Sequence, residues 1–295
     1  MWYKRRRFEV IGREMISAVY FGLMKGGYEY YAAGKGSETV KLWERWRDLP
    51  ISYDPGFFKA ARQLSITAYP YWPRAAMLEE ATFFLNEGKN DFQDLNAYKA
   101  SINVIPSLQD RDRNQDFWSW VHHFPTALEG VMESQGFRQY IQWEQGWIKH
   151  QAKVHAHDVR VLDNIISYII RRCDPGVKKV SVVLCPLKCT FAADYKRLGD
   201  TFYAFVSEFR KEAVLHEFLH MVIHPLIQKN ADAIVALRNL QRLNLDNAYY
   251  LDQSEQGRLN ALEEHAVREL SDLITDGKYK TDLQALLMEI IKSLS

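Results

Sequence analysis

The sequence predicts an α+β fold that is mostly helical, with a small β-sheet packed against one helix bearing an HExxH motif. Three observations carry this. The first half holds apolar residues at helical spacing, punctuated by Gly, Pro and Asp-Pro. Two short runs, VSVVLCPL from Val180 and TFYAFVSEF from Thr201 to Phe209, are β-branched or aromatic and bounded by turn residues. Helical patterns then resume, so strands and helices are segregated rather than alternating. The expected division is a helical N-terminal region over residues 1–150 and a second domain over 151–295, which ends in a helical subdomain.

The elements follow in order. Ser37 is a candidate cap for a helix carrying Val40, Trp43 and Trp46 on one side. Asp54-Pro55 reads as an N-cap followed by proline at the first helical position. Pro73 opens a helix through Met77, Leu78, Phe84 and Leu85, with Gly88 as its stop. Further helices are expected at about 91–103, 115–122 and 126–150. All 8 tryptophans lie between residues 2 and 147, which reads as packing of a helical core rather than a binding platform. A helix over about 157–172 uses Val161, Ile165 and Ile169 and stops at Asp174-Pro175-Gly176. Gly199-Asp200 is the turn before the second strand. Helices then follow at about 211–224, 231–243, 257–275 and 279–294.

Bulk properties exclude several function classes. The chain has 295 residues, 47% hydrophobic and 25% charged, with a net charge of +1, so no strong field points to nucleic acid or a membrane surface. The run Lys4-Arg5-Arg6-Arg7 reads as a solvated tail. Glu9, Arg13 and Glu14 interrupt the apolar stretch behind it, so no signal peptide is expected. No other stretch approaches the roughly 18 uncharged apolar residues of a membrane span. Cys185 and Cys189 have the wrong spacing for a zinc knuckle, and with Cys173 they read as free thiols. The expectation is a soluble, cytoplasmic protein without nucleic-acid or membrane partners and of open oligomeric state.

AVLHEFLHMVIHPL, residues 213–226, carries the chemistry. At 100° per residue, His220 and His224 fall about 40° and 80° from His216, and Glu217 about 100°. Val214, Leu215, Phe218, Leu219, Met221, Val222 and Ile223 fill the rest of the circumference. Such a helix is buried, and its one polar stripe is three histidines and a glutamate. Buried imidazoles need partners, and a metal ion supplies one. His216 and His220, at i and i+4, point the same way and are the candidate zinc ligands, with Glu217 placed to act on bound water. His224 lies roughly 12 Å along the axis from His216, too far to share an ion. No glycine turns the chain before it. It therefore reads as marking the helix end before Pro225 or lining the cleft.

LNALEEHAVREL, Leu259 to Leu270, is the candidate source of a third ligand. Together with HExxH it resembles the gluzincins, the thermolysin-like zinc metallopeptidases, over about residues 178–275. In that family a glutamate on a later helix completes the site, often in LNE-type signatures. Aligning Leu262-Glu263-Glu264-His265-Ala266 on that pattern puts Glu264 in the ligand position. Helical phase centres the apolar face of Leu259, Leu262, Ala266, Leu270 and Leu273 near Glu263, which stands as the alternative. The family's aspartate four residues after the ligand is replaced by Arg268, so the histidines must be oriented from elsewhere.

The resemblance implies a hydrolase, a Zn2+-dependent metallopeptidase, in the second domain. Three protein ligands leave a position for water, which zinc activates and Glu217 deprotonates. Tyr249 and Tyr250 are candidate oxyanion donors. A peptide or protein substrate is expected to add alongside the strand 201–209. The alternatives are a zinc hydrolase of a non-protein amide and a non-catalytic binding protein that keeps the fold. Other histidine pairs, His122-His123 and His155-Ala156-His157-Asp158, read as surface or packing.

Overall fold

A computed structural model describes residues 3–4, 7–27, 38–64, 75–83, 85, 115–190, 192–235, 254–275, 285 and 288–289. The fold is mostly helical α+β, with five strands in the order β1-β2-β3-β5-β4: β1 (Tyr3–Lys4), β2 (Phe8–Ile11), β3 (Lys179–Leu184), β4 (Asp194–Leu198) and β5 (Thr201–Val206). The chain forms two compact units. One holds Met1–Val154, Ser181–Lys196 and Phe205–Phe209; the other holds His155–Val180, Arg197–Ala204 and Arg210–Ser295.

The first unit is built around α1 (Glu14–Lys25), a helix absent from the sequence reading, in which every residue from Met15 to Met24 is buried. Uniform burial explains the omission, because no polar face marks the 3.6-residue period. Around it lie α3 (Gly56–Gln63), α4 (Ala76–Thr82), α5 (Gln115–Glu133) and α6 (Gln135–Val154). Gly22 lets the Phe58 ring approach; a Cβ there would fall 2.7 Å from it. The Asp54 carboxylate accepts from the Gly56 N–H at 2.8 Å, as the Asp-Pro cap predicts. A further helix, α2 (Glu38–Trp46), bears the expected Trp43 and Trp46.

One boundary and one segment differ from expectation. Helix α5 runs straight through Pro125 and breaks only at Ser134, because Phe117, Trp120, Phe124, Leu128 and Val131 stay buried along one face. The basic N-terminal run belongs in part to a hairpin, with Tyr3 opposite Val10 and Lys4 opposite Glu9. The expected helices at 91–103, 231–243 beyond Val235 and most of 279–294 lie outside the described residues.

A buried ionic cluster sits in this first unit. The Lys188 ammonium is fully buried and donates to Glu79 at 2.7 Å, Asp194 at 2.6 Å and the Tyr20 hydroxyl at 2.9 Å. Nearby, Ser17 and Tyr140 donate to the two oxygens of Glu144, each at 2.6 Å. Burial pushes the Glu144 carboxyl up to about 7.

The second unit holds α7 (Ala156–Cys173), α8 (Lys211–Lys229), α9 (Ala231–Val235) and α10 (Glu255–Leu273). Helix α8 packs on α7 and extensively on α10. On another side Phe218 of α8 meets Phe202 of β5 edge-to-face, with ring centres 5.1 Å apart. Gly199, at φ 61°, makes the turn between β4 and β5. Strand β4 itself went unread, since DYKRL lacks a strand pattern. Among the described residues, no helix is long and apolar enough to cross a membrane. All three cysteines are free, as expected.

The position of β5 corrects one expectation. β5 lies between β3 and β4, so strands of the sheet already flank both its edges and a substrate cannot add alongside residues 201–209. The outer strands are β1 and β4.

Candidate metal centre

Helix α8 presents the polar stripe and α10 faces it. Of the nineteen residues of α8, Val214, Leu215, Phe218, Leu219, Met221, Val222, Ile223 and Ile227 are buried, which locks the helix about its axis. That fixes the direction of His216 and His220. Helix α10 starts two residues earlier than expected, behind a cap in which the Ser254 hydroxyl accepts from the Gly257 N–H at 3.1 Å. Its buried face, including Leu259, Leu262, Ala266, Val267 and Leu270, fixes Glu263 and Glu264.

Three of the candidate residues converge. Nε2 of His220 lies 3.0 Å from Nε2 of His216, and Oε2 of Glu264 lies 3.1 Å and 3.6 Å from those two nitrogens. A tetrahedral ion with nitrogen and oxygen ligands at about 2.0–2.1 Å needs donor separations of roughly 3.3 Å. The three sides of the triangle, 3.0, 3.1 and 3.6 Å, bracket that separation. Among the described residues, these three are the one group of histidine, cysteine and carboxylate donors with metal-holding spacing. Two imidazoles and a carboxylate suit zinc, and other divalent transition ions as well.

The other oxygens and nitrogens are held in place. Oε1 of Glu264 accepts from Nε of Arg268 at 2.7 Å, which turns Oε2 toward the histidines. Glu263 does not join the Nε2 cluster. Its Oε1 accepts from Nδ1 of His220 at 2.8 Å, and its Oε2 accepts from Nδ1 of His224 at 2.7 Å. An ionised carboxylate can only accept, so Nδ1 of His220 carries a proton toward Glu263; with an ion in the centre, Nε2 would offer it a lone pair.

Charge in the centre is strongly coupled. Burial lowers the His220 pKa, but hydrogen bonds to Glu263 and Glu264 and the charge of Glu217 outweigh it and push His220 up to about 9. Burial raises the Glu264 carboxyl, yet contact with His216 and His220 holds it well below the usual carboxylate range. Both shifts describe the same excess of acceptor charge facing the imidazoles, which a dication would also neutralise. Glu217 is buried at 8% exposure, next to His216 in sequence.

One of the two places expected for His224, the helix end, is not the one it takes. Helix α8 runs on through Pro225 to Lys229, so His224 sits inside the helix and not at its end. Proline removes a single N–H, and the burial of Ile223 and Ile227 on either side offsets that loss. Tyr249 and Tyr250 lie outside the described residues. Elsewhere, His123 contacts the Ser119 carbonyl and His155 lies 3.8 Å from Asp158 in an i,i+3 pair, both apart from this centre.

Two sets of contacts went unread in the sequence: Arg268 with Glu264, and Glu263 with His220 and His224. The bracing of Glu264 by Arg268 was legible as an i,i+4 pair of opposite charges. The signal for Glu263 was a carboxylate at the centre of an apolar face, which requires a partner. In comparisons with known proteins, no family model, no curated protein and no solved structure matches the chain.

Proposed function

We propose that the chain is a zinc-dependent peptidase of gluzincin type, in which His216, His220 and Glu264 hold the ion and Glu217 is the general base. The observation that carries this reading is the convergence of two Nε2 atoms and one carboxylate oxygen at tetrahedral-ligand spacing. When bound, zinc would polarise a substrate carbonyl and acidify a water molecule. Glu217 takes the proton of the attacking water and returns it to the departing amine nitrogen. Its burial strengthens that exchange, since charges interact more strongly away from bulk water. Arg268 keeps Glu264 turned inward, so one oxygen stays directed at the ion.

The substrate in this reading is a peptide or protein, paired in extended form at the outer strand β4. Three free thiols support a reducing, cytoplasmic setting. The test is cleavage of a mixed peptide library by the zinc-loaded protein and its Glu217→Gln variant, with zinc content measured in both. Equal zinc with cleavage by the parent alone supports the reading. Equal cleavage by both removes Glu217 from the mechanism, and zinc without cleavage in either leaves an amide hydrolase of another kind or a binding protein.

A further inference from the structure

We infer that Glu263 is a positioning residue for the metal centre and that His224 acts as its brace, so that one carboxylate orients a ligand through a second, non-ligand histidine. This rests on the proposed zinc site. The geometry makes a linear chain: Nδ1 of His224 donates to Oε2 of Glu263 at 2.7 Å, and Oε1 of the same carboxylate accepts from Nδ1 of His220 at 2.8 Å. Nε2 of His220 then faces His216 and Glu264.

Each link has a distinct task. A carboxylate on Nδ1 selects the tautomer whose Nε2 lone pair is available, fixes the ring plane and makes the imidazole a better donor. Glu263 reaches this position from the apolar face of α10, at 8% exposure. There it makes polar contacts through both oxygens, so it has little freedom to turn. His224 has no place in the ligand triangle; its distance along α8 rules that out. Its i+8 position nevertheless returns it to the stripe of His216 and His220. That repeat places a second imidazole against the far oxygen of Glu263. Its side chain is about half exposed, at 49%, which leaves Glu263 shielded from water on one side by an imidazole that solvent can reach. The orienting role that Arg268 cannot take, being a cation, thus falls to the neighbour of the third ligand.

The test is the zinc dissociation constant, measured by chelator competition, in a double-mutant cycle. Glu263→Ala is expected to weaken zinc binding about 10- to 100-fold. His224→Ala is expected to weaken it several-fold in the parent and not at all in the Glu263→Ala background, because its effect passes through Glu263. Glu263→Gln, which keeps an acceptor for His220, should recover part of the loss. A thermal melt of each metal-free variant identifies any that fail to fold, and the Gln variant then carries the comparison. An unchanged dissociation constant in Glu263→Ala and Glu263→Gln overturns the inference, as does an equal effect of His224→Ala in both backgrounds. If the parent binds no zinc, or binds it equally well after His216→Ala, the site itself is wrong and the inference falls with it. Zinc binding that depends on His216 but ignores Glu263 rejects the positioning role alone.

Discussion

Glu263 and His220 meet at 2.8 Å on the side of the imidazole that faces away from His216, while the next residue, Glu264, meets the same ring's other nitrogen at 3.1 Å. Successive glutamates on one helix thus grip both nitrogens of one histidine. The helical phase that made Glu263 a rival ligand and the family pattern that favoured Glu264 were reading two different contacts of the same ring.

In the proposed mechanism Glu217→Gln removes the base and leaves His216, His220 and Glu264 in place. The expected outcome is zinc content equal to the parent and a fall in kcat of about 10²- to 10⁴-fold. Metal analysis beside steady-state cleavage of a peptide found in the library screen checks it.

In the proposed zinc-bound form, removing the ion should loosen α8 against α10. In the ion-free state the cluster keeps a protonated His220 among carboxylates. Zinc at 100 times its dissociation constant should stabilise the fold by about 2.7 kcal/mol. A chelator should therefore lower Tm, and re-addition of zinc should restore it; Glu264→Ala should abolish the restoration. Differential scanning calorimetry reads both effects.

Glu144 makes the first unit sensitive to pH. Its carboxyl is raised from 4.5 to about 7 by burial, so the folded state favours the neutral form. The stability it contributes is fully present below about pH 4.5 and is lost as pH rises through 7. The loss by pH 8 is on the order of 3 kcal/mol relative to that limit. Denaturant melts from pH 5 to 8 should show the decline, and Glu144→Gln should flatten it.

Lys188 neutralises Glu79 and Asp194 in the core. Lys188→Met leaves two carboxylates facing each other without a cation, and burial already raises Glu79. A loss of about 3–5 kcal/mol is expected, measured by urea unfolding. Pairing it with Glu79→Gln should recover part of that loss, since one of the stranded charges is then absent.

Legibility in the sequence followed the contrast of each segment. His216, Glu217 and His220 stood out because an apolar helix isolates a polar stripe, and α10 was legible through its leucines although its cap at Ser254 was not read. Helix α1 was silent because ten successive buried residues carry no period. Strand β4 was silent because Tyr195, Lys196 and Arg197 suit a solvated outer strand as well as a loop. Pro125 and Pro225 misled in the same way: each breaks a local rule that burial on the flanking turns overrides. The inner position of β5 depends on β3 and β4, and pairing order between distant segments leaves no mark within either one.

The central claim is that His216, His220 and Glu264 share one zinc ion. Crystals of the zinc-loaded protein, with diffraction recorded on both sides of the zinc absorption edge, test it most directly. The expected result is a single anomalous peak about 2.0–2.2 Å from Nε2 of His216, Nε2 of His220 and Oε2 of Glu264, with Glu263 still on Nδ1 of His220. A peak bonded to Glu263 in place of Glu264, or none between the two histidines, would contradict it.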